Sequence, residues 1–193
     1  MFRSFLAALG LLAASHAGAE TLRGPAAFAD IADADARAAA LFQEAAKVFQ
    51  HPRCTNCHPT GDRPGQTDTG RPHSPVVVRG ADGFGHPAQR CANCHMEANR
   101  AASGVPGAPH WHMALRSMAF AGKTPGEICR AIKDPAMNGD RPVGAILMHV
   151  TFDPLIAWAW APGADRSAAP GSHQDFIALI HAWTQAGAAC PDD

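Results

Sequence analysis

Apolar residues recur at three- and four-residue spacing between positions 33 and 50, where Leu41, Phe42, Ala45, Val48 and Phe49 share one face. That period predicts an amphipathic helix. Asp33 or Asp35 supplies its N-cap and Pro52 limits it. A second start signal is Thr124-Pro125-Gly126-Glu127, a capping box with proline at the first helical position. Ile128, Cys129 and Ile132 give that helix an inner face, and Asp134-Pro135 ends it. A further helical run covers about 143–150, and Asp153-Pro154 opens another, with Trp158 and Trp160 just beyond. Gly163 and Pro170-Gly171 mark a loop. Ser172 and Asp175 open a last helix, whose apolar face is Phe176, Leu179, Ile180 and Trp183, with Gly187 near its end.

Between 59 and 90 the periodicity lapses. Pro, Gly, Asp and Thr dominate, and only Pro75-Val76-Val77-Val78 hints at a short strand. The expected fold class is mostly α, a compact domain with long loops and little sheet. A structureless loop of this length inside a domain usually has a functional reason. Here that reason is wrapping a prosthetic group.

The N-terminus reads as a targeting segment. Arg3 gives a basic start, Phe5 to Ala14 is a short apolar run, and Ala17-Gly18-Ala19 has the small-residue pattern of a cleavage site. The apolar run is well short of the roughly 20 residues that span a bilayer, and Leu155 to Ala161 is shorter still. The organisation expected is a signal peptide at 1–19, a flexible lead-in at 20–32, and one domain over 33–193. The compartment expected is the periplasm, with no transmembrane segment in the mature chain.

Chemistry concentrates in two pentapeptides, Cys54-Thr55-Asn56-Cys57-His58 and Cys91-Ala92-Asn93-Cys94-His95. C-x-x-C-H is the attachment pattern of c-type haem. Two thiols three positions apart reach the two vinyl groups on one porphyrin edge. The following histidine then lies under the ring as the proximal iron ligand. Two other readings compete. A thioredoxin-like dithiol expects a βαβ pattern nearby, which this sequence lacks. A four-cysteine zinc site does not need histidine at the same next position twice. The expectation is two covalently bound haem c groups, on Cys54, Cys57 and His58 and on Cys91, Cys94 and His95. Cys54 and Cys91 are 37 positions apart, too close for two complete small cytochrome domains in tandem. The two groups should therefore share one unit and lie near each other.

Charge refines this picture. Acidic and basic residues nearly balance, at a net charge of −1, so binding to nucleic acid is not implied. From Arg53 to Arg141, however, eleven Lys and Arg face seven Asp and Glu, while both flanks are acidic. Haem propionates are carboxylates, which arginine forks bind well, so the basic middle is the expected haem region. Cys129 and Cys190 remain outside the motifs. In an oxidising compartment they should form a disulfide. It would close a loop of roughly 60 residues, worth on the order of 4 kcal/mol.

An attached haem has a second axial position. His73, in Arg71-Pro72-His73-Ser74-Pro75, His110, in Gly107-Ala108-Pro109-His110-Trp111, and His149, in the apolar run 145–150, form the pool of candidates. Met113, Met118 and Met148 are weaker ones, since methionine at helical spacing is more often packing.

These residues together resemble periplasmic dihaem cytochromes of the kind labelled as subunits of isoquinoline 1-oxidoreductase-type molybdenum hydroxylases. The likeness runs from about Phe49 to Pro191. It is carried by the two haem motifs, Arg71-Pro72-His73 with Arg79-Gly80, Gly107 to Trp111, and Ile128 to Asp134 with Asn138-Gly139. It continues in His149 with Asp153-Pro154-Leu155, Trp158-Ala159-Trp160, and Gly187 to Pro191. Locally the chain is also similar to the small dihaem subunit of periplasmic nitrate reductases, where a Pro-His-Ser turn precedes a C-x-x-C-H and a Gly-Ala-Pro segment follows it. There both haems have two histidine ligands, which implies roles for His73 and His110 here. The order of motifs differs, so the pairing of ligands does not transfer. The function implied is electron transfer between a redox enzyme, such as a molybdenum hydroxylase, and the respiratory chain, with a periplasmic or membrane-associated redox protein as partner. The alternative is a small dihaem peroxidase or a haem-based sensor with an open iron.

Overall fold

A computed structural model describes residues 20–163 and 165–193. The expected signal peptide lies outside the described residues. The described residues are mostly helical, 40% helix against 6% strand, with no closed sheet among them.

Helix α1 (Ala34–Phe49) starts where the Asp33 carboxylate accepts the backbone N–H of Ala36 at 2.7 Å. The chain then turns at His51 into the single turn α2 (Pro52–Thr55), which carries Cys54. Helix α3 (Pro125–Lys133) has the expected capping box, Thr124 and Glu127 satisfying each other's backbone N–H. Asp134 ends α3 and caps α4 (Pro135–Asn138). Next come α5 (Val143–Phe152) and α6 (Pro154–Ala157), the second capped by Asp153. The last helix, α7 (His173–Gln185), opens on a reciprocal Ser172–Asp175 box. Gly187 follows at φ +97°, a left-handed value that suits a residue without a Cβ.

The core forms where α1 packs along α7, with α3 and α5 at its sides. Its aromatic residues make a continuous chain of ring contacts. Trp183 meets Phe42 at 5.0 Å, Phe42 meets Phe49 at 5.5 Å, and Phe49 meets Phe120 at 5.4 Å, centroid to centroid. The Cys129–Cys190 disulfide is present and ties α3 to the segment after α7.

Two expectations need correction. The lead-in does not hang loose. A 3-10 turn over Pro25–Phe28 buries Phe28 to 3% exposure, and Arg23 grips the buried Glu44 of α1 at 2.9 Å. Pro75 to Val78 is not a strand either. Among the described residues no strand pairs with it, and Val76 is 63% exposed, so its β propensity finds nothing there to pack against. The sheet that exists is two minimal hairpins. One pairs β1 (Gly65–Gln66) with β2 (Arg71–Pro72), and the other pairs β3 (Gly85–His86) with β4 (Gln89–Arg90).

Candidate functional site

Both pentapeptides fold into the same turn. In the first, the amides of Cys57 and His58 both donate to the Cys54 carbonyl, at 3.1 and 3.0 Å. In the second, those of Cys94 and His95 donate to the Cys91 carbonyl, at 3.1 and 2.9 Å. One helical turn puts positions i, i+3 and i+4 on a common face. The spacing thus turns two thiols and an imidazole to the same side, twice.

The two imidazoles are also held alike. Nδ1 of His58 donates to the Met118 carbonyl at 2.6 Å, and Nδ1 of His95 donates to the Pro106 carbonyl at 2.8 Å. A carbonyl can only accept, so each Nδ1 carries the proton and each Nε2 keeps its lone pair. Each ring is covered by an aromatic one. Phe120 lies on His58 at 3.9 Å and 5°, and Trp111 lies on His95 at 4.3 Å and 3°. Phe120 and Trp111 bound one short segment, 111–120, which therefore buttresses both motifs. Among the described residues no hydrogen bond engages either Nε2. An imidazole oriented through Nδ1 by a carbonyl is the usual arrangement of a metal-binding histidine.

Each motif histidine lines its own cavity. The cavity of His58 measures about 440 Å³ and that of His95 about 350 Å³, both in the range of sites for organic ligands. They adjoin. Arg53, Cys57, His112, Met113 and Trp158 line both. The indole of Trp158 stands edge-on to Trp111 at 4.8 Å and donates to Asn99 at 2.9 Å. Asn99 also donates to the Ala161 carbonyl and accepts from Gly107, which ties the loop after the second motif to the helical layer.

The other candidates divide. His73 lines the His95 cavity, its ring centroid 6.0 Å from that of His95. Its Nδ1 contacts the Pro75 carbonyl at 3.0 Å, so its Nε2 is also free to accept. His149 lines the His58 cavity, with Nδ1 3.2 Å from Asp153. His110 lines neither cavity. It sits exposed in a left-handed conformation at φ +58°, and its carbonyl meets Nδ1 of His112. His112, which the sequence does not single out, is the one that reaches both cavities. Met113 and Met118 line cavity walls, whereas Met148 points outward at 58% exposure.

Electrostatics separate two kinds of chemistry. Burial pushes the Cys54 thiol up to about 12 and Cys57 up to about 11, and raises Cys91 as well. A redox-active dithiol needs the opposite shift. Burial also pulls His58 down to about 4, partly opposed by the Met118 carbonyl, and lowers His95 in the same way. At neutral pH the thiols of Cys54, Cys57 and Cys91 and the imidazoles of His58 and His95 are therefore biased to their neutral forms. Among the described residues, no three His, Cys, Asp or Glu side chains gather as a metal-binding group.

Buried cations complete the site. Arg53 and Arg79 are 5% and 6% exposed, and the Nε of each is buried without a hydrogen-bond partner. Burial lowers the pKa of both, opposed chiefly by Asp68 and Asp62. This donor set suits a flat apolar group that carries its own metal and its own carboxylates. It offers two thiols, an imidazole Nε2, aromatic walls and an unpaired guanidinium N–H. The sequence identifies the motifs but not the carbonyls of Met118 and Pro106, nor the burial of Arg53. Comparison with protein-family models, with curated proteins and with solved structures finds no match to this chain.

Proposed function

We propose that the protein is a periplasmic dihaem c-type cytochrome, carrying electrons between a redox enzyme and the respiratory chain. The observation that carries this reading is the identical treatment of His58 and His95. Each follows a C-x-x-C turn, each is fixed through Nδ1 by a backbone carbonyl, and each is stacked on an aromatic ring. Cys54 and Cys57 would hold one haem c and Cys91 and Cys94 the other, with His58 and His95 as proximal ligands. Bound there, haem supplies a reversible one-electron ferrous/ferric couple.

The protein's own residues do the rest. The carbonyls of Met118 and Pro106 keep each Nε2 unprotonated and aimed. Phe120 and Trp111 prevent ring rotation and exclude water. His73, on the lining of the His95 cavity, would supply a second imidazole to the group held there. His149, oriented by Asp153, is the corresponding candidate for the His58 cavity. The shared wall keeps the two cavities adjacent, which suits transfer of electrons between two centres. No nucleophile or acid–base pair is required. The resemblance to dihaem cytochromes associated with molybdenum hydroxylases points to such an enzyme as the donor.

One asymmetry favours the alternative of a small dihaem peroxidase or sensor. Among the described residues His58 makes no ring contact with another histidine like that between His95 and His73, so a haem held at the first motif would have the less crowded second side. The test is maturation of the full chain in a host with a haem-attachment system. Intact mass and the alkaline pyridine spectrum should report two covalent haems, and Cys91→Ala with Cys94→Ala should leave one. A mature chain without haem contradicts the proposal.

A further inference from the structure

Arg53 sits in the wall common to both cavities and is almost wholly buried. A guanidinium carries five N–H donors. Among the described residues its side chain has one hydrogen-bond partner, the carboxylate of Asp68, which takes one terminal nitrogen, and Nε is left buried and unpaired. Its guanidinium carbon is 5.9 Å from the Trp158 ring centre, and Trp158 lines both cavities as well.

Arg79 shows what a structural arginine looks like here. Its Nε, like that of Arg53, has no hydrogen-bond partner and stands 3.6 Å from Asp62, but both its terminal nitrogens donate, to the carbonyls of Ala114 and Gly61. It ties loops together and lines neither cavity. Arg53 ties no loop by its side-chain donors beyond Asp68. Leaving a buried guanidinium N–H unpaired is costly. A carboxylate brought in by an occupant of either cavity would complete the fork.

We infer that Arg53 binds a propionate of the bound haem from the wall between the cavities, and that its fixed positive charge raises the reduction potential there. This rests on the dihaem reading. A buried cation near the iron favours the ferrous state, because reduction removes one positive charge beside it. In a partly buried wall such a charge is weakly screened.

The test is spectroelectrochemical titration of the full, haem-loaded chain as wild type, Arg53→Gln and Asp68→Asn, with circular dichroism to verify folding. Arg53→Gln should lower at least one midpoint potential. At a fixed solution potential the ferrous-to-ferric ratio should fall about tenfold, which is about 59 mV for a one-electron couple. Asp68→Asn removes the carboxylate paired with Arg53 and should shift the same haem upward. A folded Arg53→Gln chain with two haems and unmoved potentials overturns the inference. If that variant does not fold, Asp68→Asn decides, and an unchanged or lowered potential overturns it. A wild-type chain without haem overturns the dihaem reading and this inference with it. Two haems in wild type with unmoved variants overturn the role of Arg53 alone.

Discussion

His73 and His95 stand 6.0 Å apart, ring centre to ring centre, on the lining of one cavity. With metal–nitrogen distances of about 2.0–2.1 Å on either side, and each ring centre about 1 Å behind its nitrogen, two imidazoles on one metal sit about 6 Å apart. The separation is compatible with the proposal that both would hold one iron. In the haem-loaded protein, His73→Ala should convert one low-spin ferric signal to high-spin and allow carbon monoxide to bind after reduction. His110→Ala should change neither spectrum, because His110 lines no cavity. The reverse pattern would reassign the axial ligand.

Phe120 links the core to His58. It is 4% exposed, edge-on to Phe49 and flat against the imidazole. Phe120→Ala should cost about 3–5 kcal/mol, the range for a buried Phe. Phe120→Leu should cost less, since it keeps apolar volume but not the stack. Denaturant unfolding of the purified variants measures both. Equal losses would mean that the ring's flat contact with His58, not apolar volume, carries the cost.

Gly107 lies beside the carbonyl that fixes His95. A Cβ there would fall 2.4 Å from the carbonyl oxygens of Ala98 and Met96, so the backbone must shift. Gly107→Ala should cost about 1–3 kcal/mol, as overpacking does, and should lower haem occupancy at the second motif more than at the first. Gly144, in the first turn of α5, has open space around it. Gly144→Ala should stabilise by up to about 1 kcal/mol. Thermal melts and haem content of the two variants should therefore move in opposite directions.

Glu44 sets an acid limit. Burial alone would raise its pKa, but hydrogen bonds from Arg23 and Lys47 outweigh this and hold it below its ordinary 4.5. A carboxylate depressed in this way contributes stability above its unfolded value and loses it as pH falls through the folded one. Glu44→Gln should cost about 1–3 kcal/mol at pH 7, as for hydrogen bonds to a charged group. The gap from wild type should close as pH falls below about 4.5. A gap that persists at low pH would show that shape, not charge, is what the pair supplies.

Much of the fold is legible because its signals are local. The Thr124–Glu127 and Ser172–Asp175 boxes, the face of α1, and the Cys129–Cys190 pair all depend on nearby residues or on elimination among six cysteines. The motifs are legible for the same reason, since i, i+3 and i+4 suffice to define their turn. The parts that aim them are not. The carbonyl on His58 comes from Met118, 60 positions away, and a backbone carbonyl has no sequence signature. His110 and His112 are near neighbours with similar surroundings. Only the left-handed backbone at His110 separates the one outside from the one that lines both cavities. The packing of the lead-in is not legible because Arg23 pairs with Glu44, 21 positions away, as well as covering the Phe28 ring.

The most direct measurement is the pair of low-temperature EPR and optical spectra of the matured full chain, oxidised and then reduced. Two low-spin ferric signals, no methionine–iron charge-transfer band and no carbon monoxide binding after reduction are expected of an electron carrier with two histidines on each iron. A high-spin signal or ready carbon monoxide binding at one centre would place the enzyme or sensor reading first, and a spectrum without haem would contradict the account.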